Sequence, residues 1–173
     1  MNPSYLLVLL GVAMVSYSGP LVKVGLNFGA NPASIAMMRM VLSALILLPK
    51  TGTAADVQTA DAYMTEVENR LGLEYGTVGL MPLIETALGV ENAFAIASAD
   101  PRVQALFLGA EDLTADLQCK RTKEGREIEY ARTRLVMAAR AAGVDVYDTP
   151  FTDVNDDEGI VTDAQLAKAL GFT

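Results

Sequence analysis

Two acidic residues stand where their surroundings make chemistry possible. Glu85 directly follows the uncharged run Val78-Gly-Leu-Met-Pro-Leu-Ile84. Asp112 follows a second run, Val103-Gln-Ala-Leu-Phe-Leu108, after Gly109, Ala110 and Glu111. Continuous apolar runs of this kind read as strands buried on both faces, as in a parallel sheet. Sites in parallel sheets form at the carboxyl ends of the strands, where the βα loops gather. The 27-residue separation is about one βα unit, which places the two carboxylates on neighbouring strand ends, within reach of one ion. Two hard oxygen ligands with further positions left open suit Mg²⁺. A plainer assignment uses the same letters: Glu85 caps the following helix and Asp112 is a loop residue. Gly109 and Ala110 are small, so a substrate carboxylate can approach the backbone N–H groups beside Glu111.

Composition narrows the chemistry further. The 173 residues contain no His, which removes His triads, His metal sites and imidazole acid–base pairs. The one cysteine, Cys119, excludes an internal disulfide and a cysteine zinc cluster, and has no His to activate it. The net charge of −8 is unevenly spread. Residues 1–50 hold Lys23, Arg39 and Lys50 and no acid, giving +3, so all 21 acids fall in 51–173, which carries −11. That acidic balance argues against nucleic acid as a partner.

The elements that must position Glu85 and Asp112 follow from periodicity. Ile46-Leu-Leu-Pro-Lys50 reads as a strand ending, and Asp56–Leu71 as a helix with Val57, Ala60, Tyr63, Met64, Val67 and Leu71 on one face. Residues 78–84 and 103–108 are strands, 91–99 a short helix, and 127–142 a long helix closed by Gly143 in a left-handed cap. Residues 144–147 form a strand and 162–170 a last helix, with Asp163 near its start. Asp153, Asp156, Asp157 and Glu158 lack calcium-loop spacing and read as a surface turn. Alternation at this spacing predicts α/β architecture with about four βα units and a parallel sheet.

Residues 1–49 differ in kind. Tyr5–Val22 is 18 residues without a charge, and 35–49 is a second apolar stretch rich in Met, Leu, Ile and Ala. A membrane-spanning helix needs about 20 mostly apolar residues, so the expectation is a two-helix membrane-like hairpin with membrane contact through residues 5–49. Residues 10–49, with Pro20, Lys23, Pro32 and Arg39 in order, resemble the opening helices of EamA-type drug/metabolite transporters. Two helices do not make an alternating-access pathway, because the substrate site of such proteins lies between repeats.

A second, more specific resemblance covers residues 46–173. Met81-Pro-Leu-Ile-Glu-Thr-Ala-Leu-Gly, then Phe107-Leu-Gly-Ala-Glu-Asp-Leu-Thr-Ala-Asp-Leu117, then Arg121-Thr-Lys-Glu-Gly and Asp148-Thr-Pro-Phe, resemble the citrate lyase β-subunit-like enzymes of the HpcH/HpaI aldolase family. The resemblance implies part of a (β/α)₈ TIM barrel, preceded by the hairpin, with domains at 1–49 and 50–173. It implies a carbon–carbon lyase or aldolase acting on an acyl-CoA or a 2-oxo acid. It also implies Mg²⁺ held by Glu85 and Asp112, and a cytoplasmic location for residues 50–173. Arg102 and Arg121, with Lys120, Lys123 and Arg126 nearby, are then candidates for CoA phosphate contacts; interleaved acids make a solvated helix start the competing assignment.

Departures from that family qualify the expectation. The family's substrate-binding Arg, in an Arg-(Val/Ile)-Asn stretch, has no counterpart before residue 46, and Leu117 is followed by Gln118-Cys119 where Gly is usual. A full barrel takes about 250 residues, and four units leave two sheet edges open, which favours a homo-oligomer. Three functions therefore compete at this level: an Mg²⁺ lyase with weak metal affinity and no turnover in this chain, a transporter fragment, and a non-functional fusion of the two.

Overall fold

The computed structural model describes residues 45–153 and 155–173. The transporter-like hairpin expected within residues 1–49 therefore lies almost wholly outside the described residues. Among the described residues, no helix is long and apolar enough to cross a membrane.

Four strands, β1 (Leu45–Leu48), β2 (Gly79–Ile84), β3 (Ala105–Leu108) and β4 (Asp145–Tyr147), form one sheet in the order β1-β2-β3-β4. Between them run the helices α1 (Ala54–Leu71), α2 (Ala87–Glu91), α3 (Ala93–Ala97), α4 (Ala110–Asp116) and α5 (Glu129–Ala142), with α6 (Asp157–Leu170) last. Strand order equal to sequence order, with helical crossovers, is what the alternating apolar and amphipathic segments predict. The chain divides into two compact units. One takes in Tyr63–Gly79; there the buried Glu68 carboxylate accepts the N–H groups of Gly76 and Val78 at 3.2 and 3.0 Å. The other comprises Leu47–Ala62 and Leu80–Thr173 and carries the candidate site.

In that larger unit the core is built from Leu80, Ile84, Leu106, Leu108 and Val146 on the strands and Ile96, Leu113 and Leu135 on the helices, all 0–1% exposed. Helix α5 packs on α3 and on strands β3 and β4. It ends at Gly143 with φ +76°, the left-handed cap expected from sequence.

Register is the feature of the sheet that matters most for the site. β2 pairs with β3 in parallel through Leu83↔Phe107 and Ile84↔Leu108, while upstream Leu80 faces Val103. The register thus shifts by one residue across Pro82, whose ring removes the N–H that an unbroken ladder would use. The shift brings the residue after β2, Glu85, beside the residue after β3, Gly109.

The structure differs from the sequence reading in three elements. The helix expected over 91–99 is two short ones that bend at Asn92, whose side chain turns back to donate to the Gly52 carbonyl at 2.8 Å. α6 starts at Asp157 instead of 162, because Asp156 caps it by accepting the Gly159 N–H at 2.9 Å. Part of the acidic stretch read as a surface turn is therefore a helix start, where carboxylates meet unpaired N–H groups. Asp163 consequently lies mid-helix. α4 was not anticipated at all, and it carries Asp112.

Candidate functional site

Glu85 follows the last residue of β2 and is 6% exposed. It does not cap the helix after it. Thr86 does that, its hydroxyl accepting the Gly89 N–H at 3.1 Å, and Asp116 accepts the Ala87 N–H at 2.7 Å. With the helix start satisfied by other residues, the Glu85 carboxylate is left to the strand-end face. Asp112 is not a loop residue either. It sits in the first turn of α4, where the exposed N–H ends favour an acid.

The two carboxylates are joined by a residue the sequence reading passed over, Lys50. Its backbone N–H donates to Glu85 Oε1 at 2.8 Å, and its ammonium donates to Asp112 Oδ2 at 3.1 Å. Hydrogen bonding to Asp112, that residue's charge, and the further charges of Glu85 and Asp116 hold the ammonium above its ordinary pKa. Lys50 has φ +50°, uncommon for a side-chain-bearing residue, in the turn that closes the first strand. The turn is fixed by the next residue: buried Thr51 donates its hydroxyl to Leu48 O at 2.8 Å and its N–H to Leu83 O at 3.3 Å. The signal was available in principle, because Pro49-Lys50 closes the first strand at the same end as Glu85 and Asp112.

Gly109 makes room for this arrangement. A Cβ there would lie 2.8 Å from Glu85 Cβ and 2.9 Å from Glu85 Oε2. The backbone donors expected to greet a substrate carboxylate are occupied, however. The Gly109 N–H donates to Ile84 O at 3.0 Å, and the Ala110 N–H to Thr149 Oγ1 at 3.3 Å. Those two positions build the strand-end geometry instead of presenting free N–H groups. Glu111 is exposed, with Arg121 Nε 3.8 Å from its carboxylate.

The cationic candidates separate cleanly. Arg102 is buried, its side chain 0% exposed, with Nε donating to Asp61 at 2.8 Å. A guanidinium so enclosed is a core ion pair and offers no surface to a phosphate, so the structure removes Arg102 from the phosphate-contact set. Arg121 is partly exposed and donates from Nη1 to Glu127 Oε1 at 2.8 Å. Burial works against the Glu127 charge, yet the N–H and hydroxyl of Thr122, together with Arg121, bring its pKa down to about 2. Lys123 is taken by Asp153 and Asp156 at 2.8 and 2.7 Å.

Carboxylate oxygens are the donor type that small hard cations take. Glu85 and Asp112 are a two-carboxylate set, and among the described residues no cluster of three or more His, Cys, Asp or Glu side chains forms. A parallel βα sheet with acids at the ends of adjacent strands has the strand-end site that parallel α/β proteins share. More particularly, the chain belongs to the HpcH/HpaI aldolase/citrate lyase family, which matches residues 26–173. That match begins inside the segment read from sequence as transporter-like.

The relatives bear this out at residue level. The citrate lyase subunit beta of Leuconostoc mesenteroides subsp. cremoris is 44% identical over 128 residues, covering 74% of this chain and 42% of the relative. The L-malyl-CoA/beta-methylmalyl-CoA lyase of Cereibacter sphaeroides is 34% identical, covering 73% of this chain and 45% of the relative. The chain thus spans less than half the length of these curated relatives. Among solved structures, the citrate lyase beta subunit from M. tuberculosis, complexed with oxaloacetate and magnesium, superposes with a TM-score of 0.59 at 29% identity, covering 79% of this chain and 58% of that one.

Proposed function

We propose that the described residues form the metal-binding portion of an Mg²⁺-dependent carbon–carbon lyase, with Glu85 and Asp112 as its protein ligands and a 2-oxo acid or acyl-CoA as substrate. One observation carries the reading. Lys50 joins the two carboxylates at the ends of adjacent parallel strands, its ammonium on Asp112 and its backbone N–H on Glu85. Relatives named for citrate and malyl-CoA cleavage, and one solved with magnesium and oxaloacetate, support it.

The donor set suits this ion: hard carboxylate oxygens, few in number, leave coordination positions to water and substrate. Bound there, Mg²⁺ supplies a Lewis acid for a carbonyl or alkoxide oxygen next to the bond that breaks. The chain's own residues hold the ligands in place. Lys50 fixes one Glu85 oxygen through its backbone, Gly109 leaves room for the other, and α4 is anchored through Ala110 to Thr149. Of the surface cations expected to meet CoA phosphates, Arg121 keeps part of its side chain exposed and is retained.

Titration of the full chain with Mn²⁺, a probe for Mg²⁺ sites, is expected to show one site. Glu85→Gln and Asp112→Asn, which remove a ligand charge outright, should each weaken it by about 100-fold or more, at or beyond the roughly 10- to 100-fold cost of a disturbed outer shell. Binding unchanged in both variants would sink the assignment. We propose further that the 173 residues do not turn over malyl-CoA, because no Arg-(Val/Ile)-Asn stretch supplies the substrate-binding arginine that the family resemblance calls for. Steady Mg²⁺-dependent release of a 2-oxo acid from malyl-CoA by the purified chain, lost in Glu85→Gln, would overturn that.

A further inference from the structure

We infer that Lys50 is a resident counter-ion of the carboxylate pair, one that a divalent cation must displace from Asp112, so that this lysine sets the metal affinity of the site. The inference rests on the reading of Glu85 and Asp112 as metal ligands and adds a third residue with an opposing role.

Three observations carry it. The Lys50 ammonium occupies Asp112 Oδ2 at 3.1 Å, one oxygen of a proposed metal ligand. An ammonium and a divalent ion do not share one carboxylate oxygen at that range without like-charge repulsion. The two ends of Lys50 are also held differently. The backbone is locked at φ +50°, with its N–H on Glu85 Oε1, while the side chain is 70% exposed and free to swing outward. The residue can therefore keep Glu85 in place while its ammonium releases Asp112. Finally, Glu85, Asp112 and Asp116 all act on this ammonium.

Displacement has a directional signature. A ligand-holding lysine would lose metal affinity on removal, whereas a competing one gains it. Mn²⁺ titration of Lys50→Met and Lys50→Gln is expected to give binding about three- to fivefold tighter than wild type, the scale of one exposed ion pair. Lys50→Arg, which restores a cation, should bind like wild type. Two neutral variants are named so that a folding failure in one leaves the other to decide, with circular dichroism confirming the fold. Unchanged or weaker binding in the folded neutral variants overturns the role of Lys50. Glu85→Gln and Asp112→Asn in the same titration separate the cases. If they weaken binding and the lysine variants do not tighten it, only this inference fails. If they leave binding intact, the metal reading itself fails and this inference falls with it.

Discussion

Arg132→Met is expected to lower the unfolding free energy by about 3–5 kcal/mol, the cost of leaving buried charges without their partner. Arg132, on α5, is 2% exposed, and its guanidinium is the common cation of two carboxylates. Nη2 lies 2.9 Å from Asp148 Oδ2 and 2.8 Å from Asp163 Oδ1, with side-chain exposures of 10% and 18% for the two acids. Burial pushes the Asp148 carboxyl above its ordinary pKa even with Arg132 pulling the other way. Removing the cation takes away the opposing pull, so the folded-state pKa rises further above the unfolded value.

The sign then fixes the pH dependence. A carboxyl whose pKa is raised by folding favours the folded state fully below its unfolded pKa, and that advantage is lost as pH rises through the folded value. The deficit of Arg132→Met should therefore be small near pH 4 and reach its full size near neutrality. Urea midpoints of wild type and variant across that range measure it. A deficit independent of pH would mean that the loss is packing rather than charge. Any effect on metal binding should be secondary, passing through a chain of contacts. Asp148 Oδ1 accepts the Thr149 N–H at 2.8 Å, and the Thr149 hydroxyl accepts the first N–H of the helix that carries Asp112.

The positions of Glu85 and Asp112 could be read from the sequence because strand periodicity and one βα repeat are local properties. Two apolar runs and a 27-residue interval are enough to put two acids on adjacent strand ends. What those acids and their neighbours touch was not local. The Ala110 N–H is spent on a threonine 39 residues away, and Arg102 meets an aspartate 41 residues away. No periodicity reports either partner. Lys50 escaped for a different reason. Its place at the strand end is legible beside Pro49, but the left-handed backbone that turns its N–H to Glu85, and the reach of its ammonium to an aspartate 62 residues away, are not. α4 was hidden because Gly-Ala-Glu-Asp opens a seven-residue helix too short to show a repeating apolar face. α6 begins ahead of its apolar pattern because its first turn is acidic, and polar letters that cap a helix look like those that make a turn.

Gly109→Ala tests whether the site depends on the approach of two strand ends. The added methyl would stand 2.8 Å from Glu85 Cβ, a distance that real Cβ contacts essentially never show. Glu85 Cβ is fixed by its own backbone and cannot rotate away like the tip of a flexible chain. Leu83 Cδ1 at 3.2 Å closes another side. The strand ends must therefore part or the Glu85 side chain must turn. Overpacking of this kind costs about 1–3 kcal/mol, and a displaced ligand should weaken Mn²⁺ binding by about 10- to 100-fold, as disturbed outer shells of metal sites do. Gly109→Val should be worse on both counts. Gly143→Ala supplies the comparison, because its site has φ +76° and nothing within 4 Å of a new Cβ. It should cost stability, through backbone strain alone, and leave the metal titration unchanged. If Gly109→Ala behaves like Gly143→Ala, less stable with unaltered Mn²⁺ affinity, then Gly109 is a structural glycine and the close pairing of the two strand ends does not tune the carboxylate site.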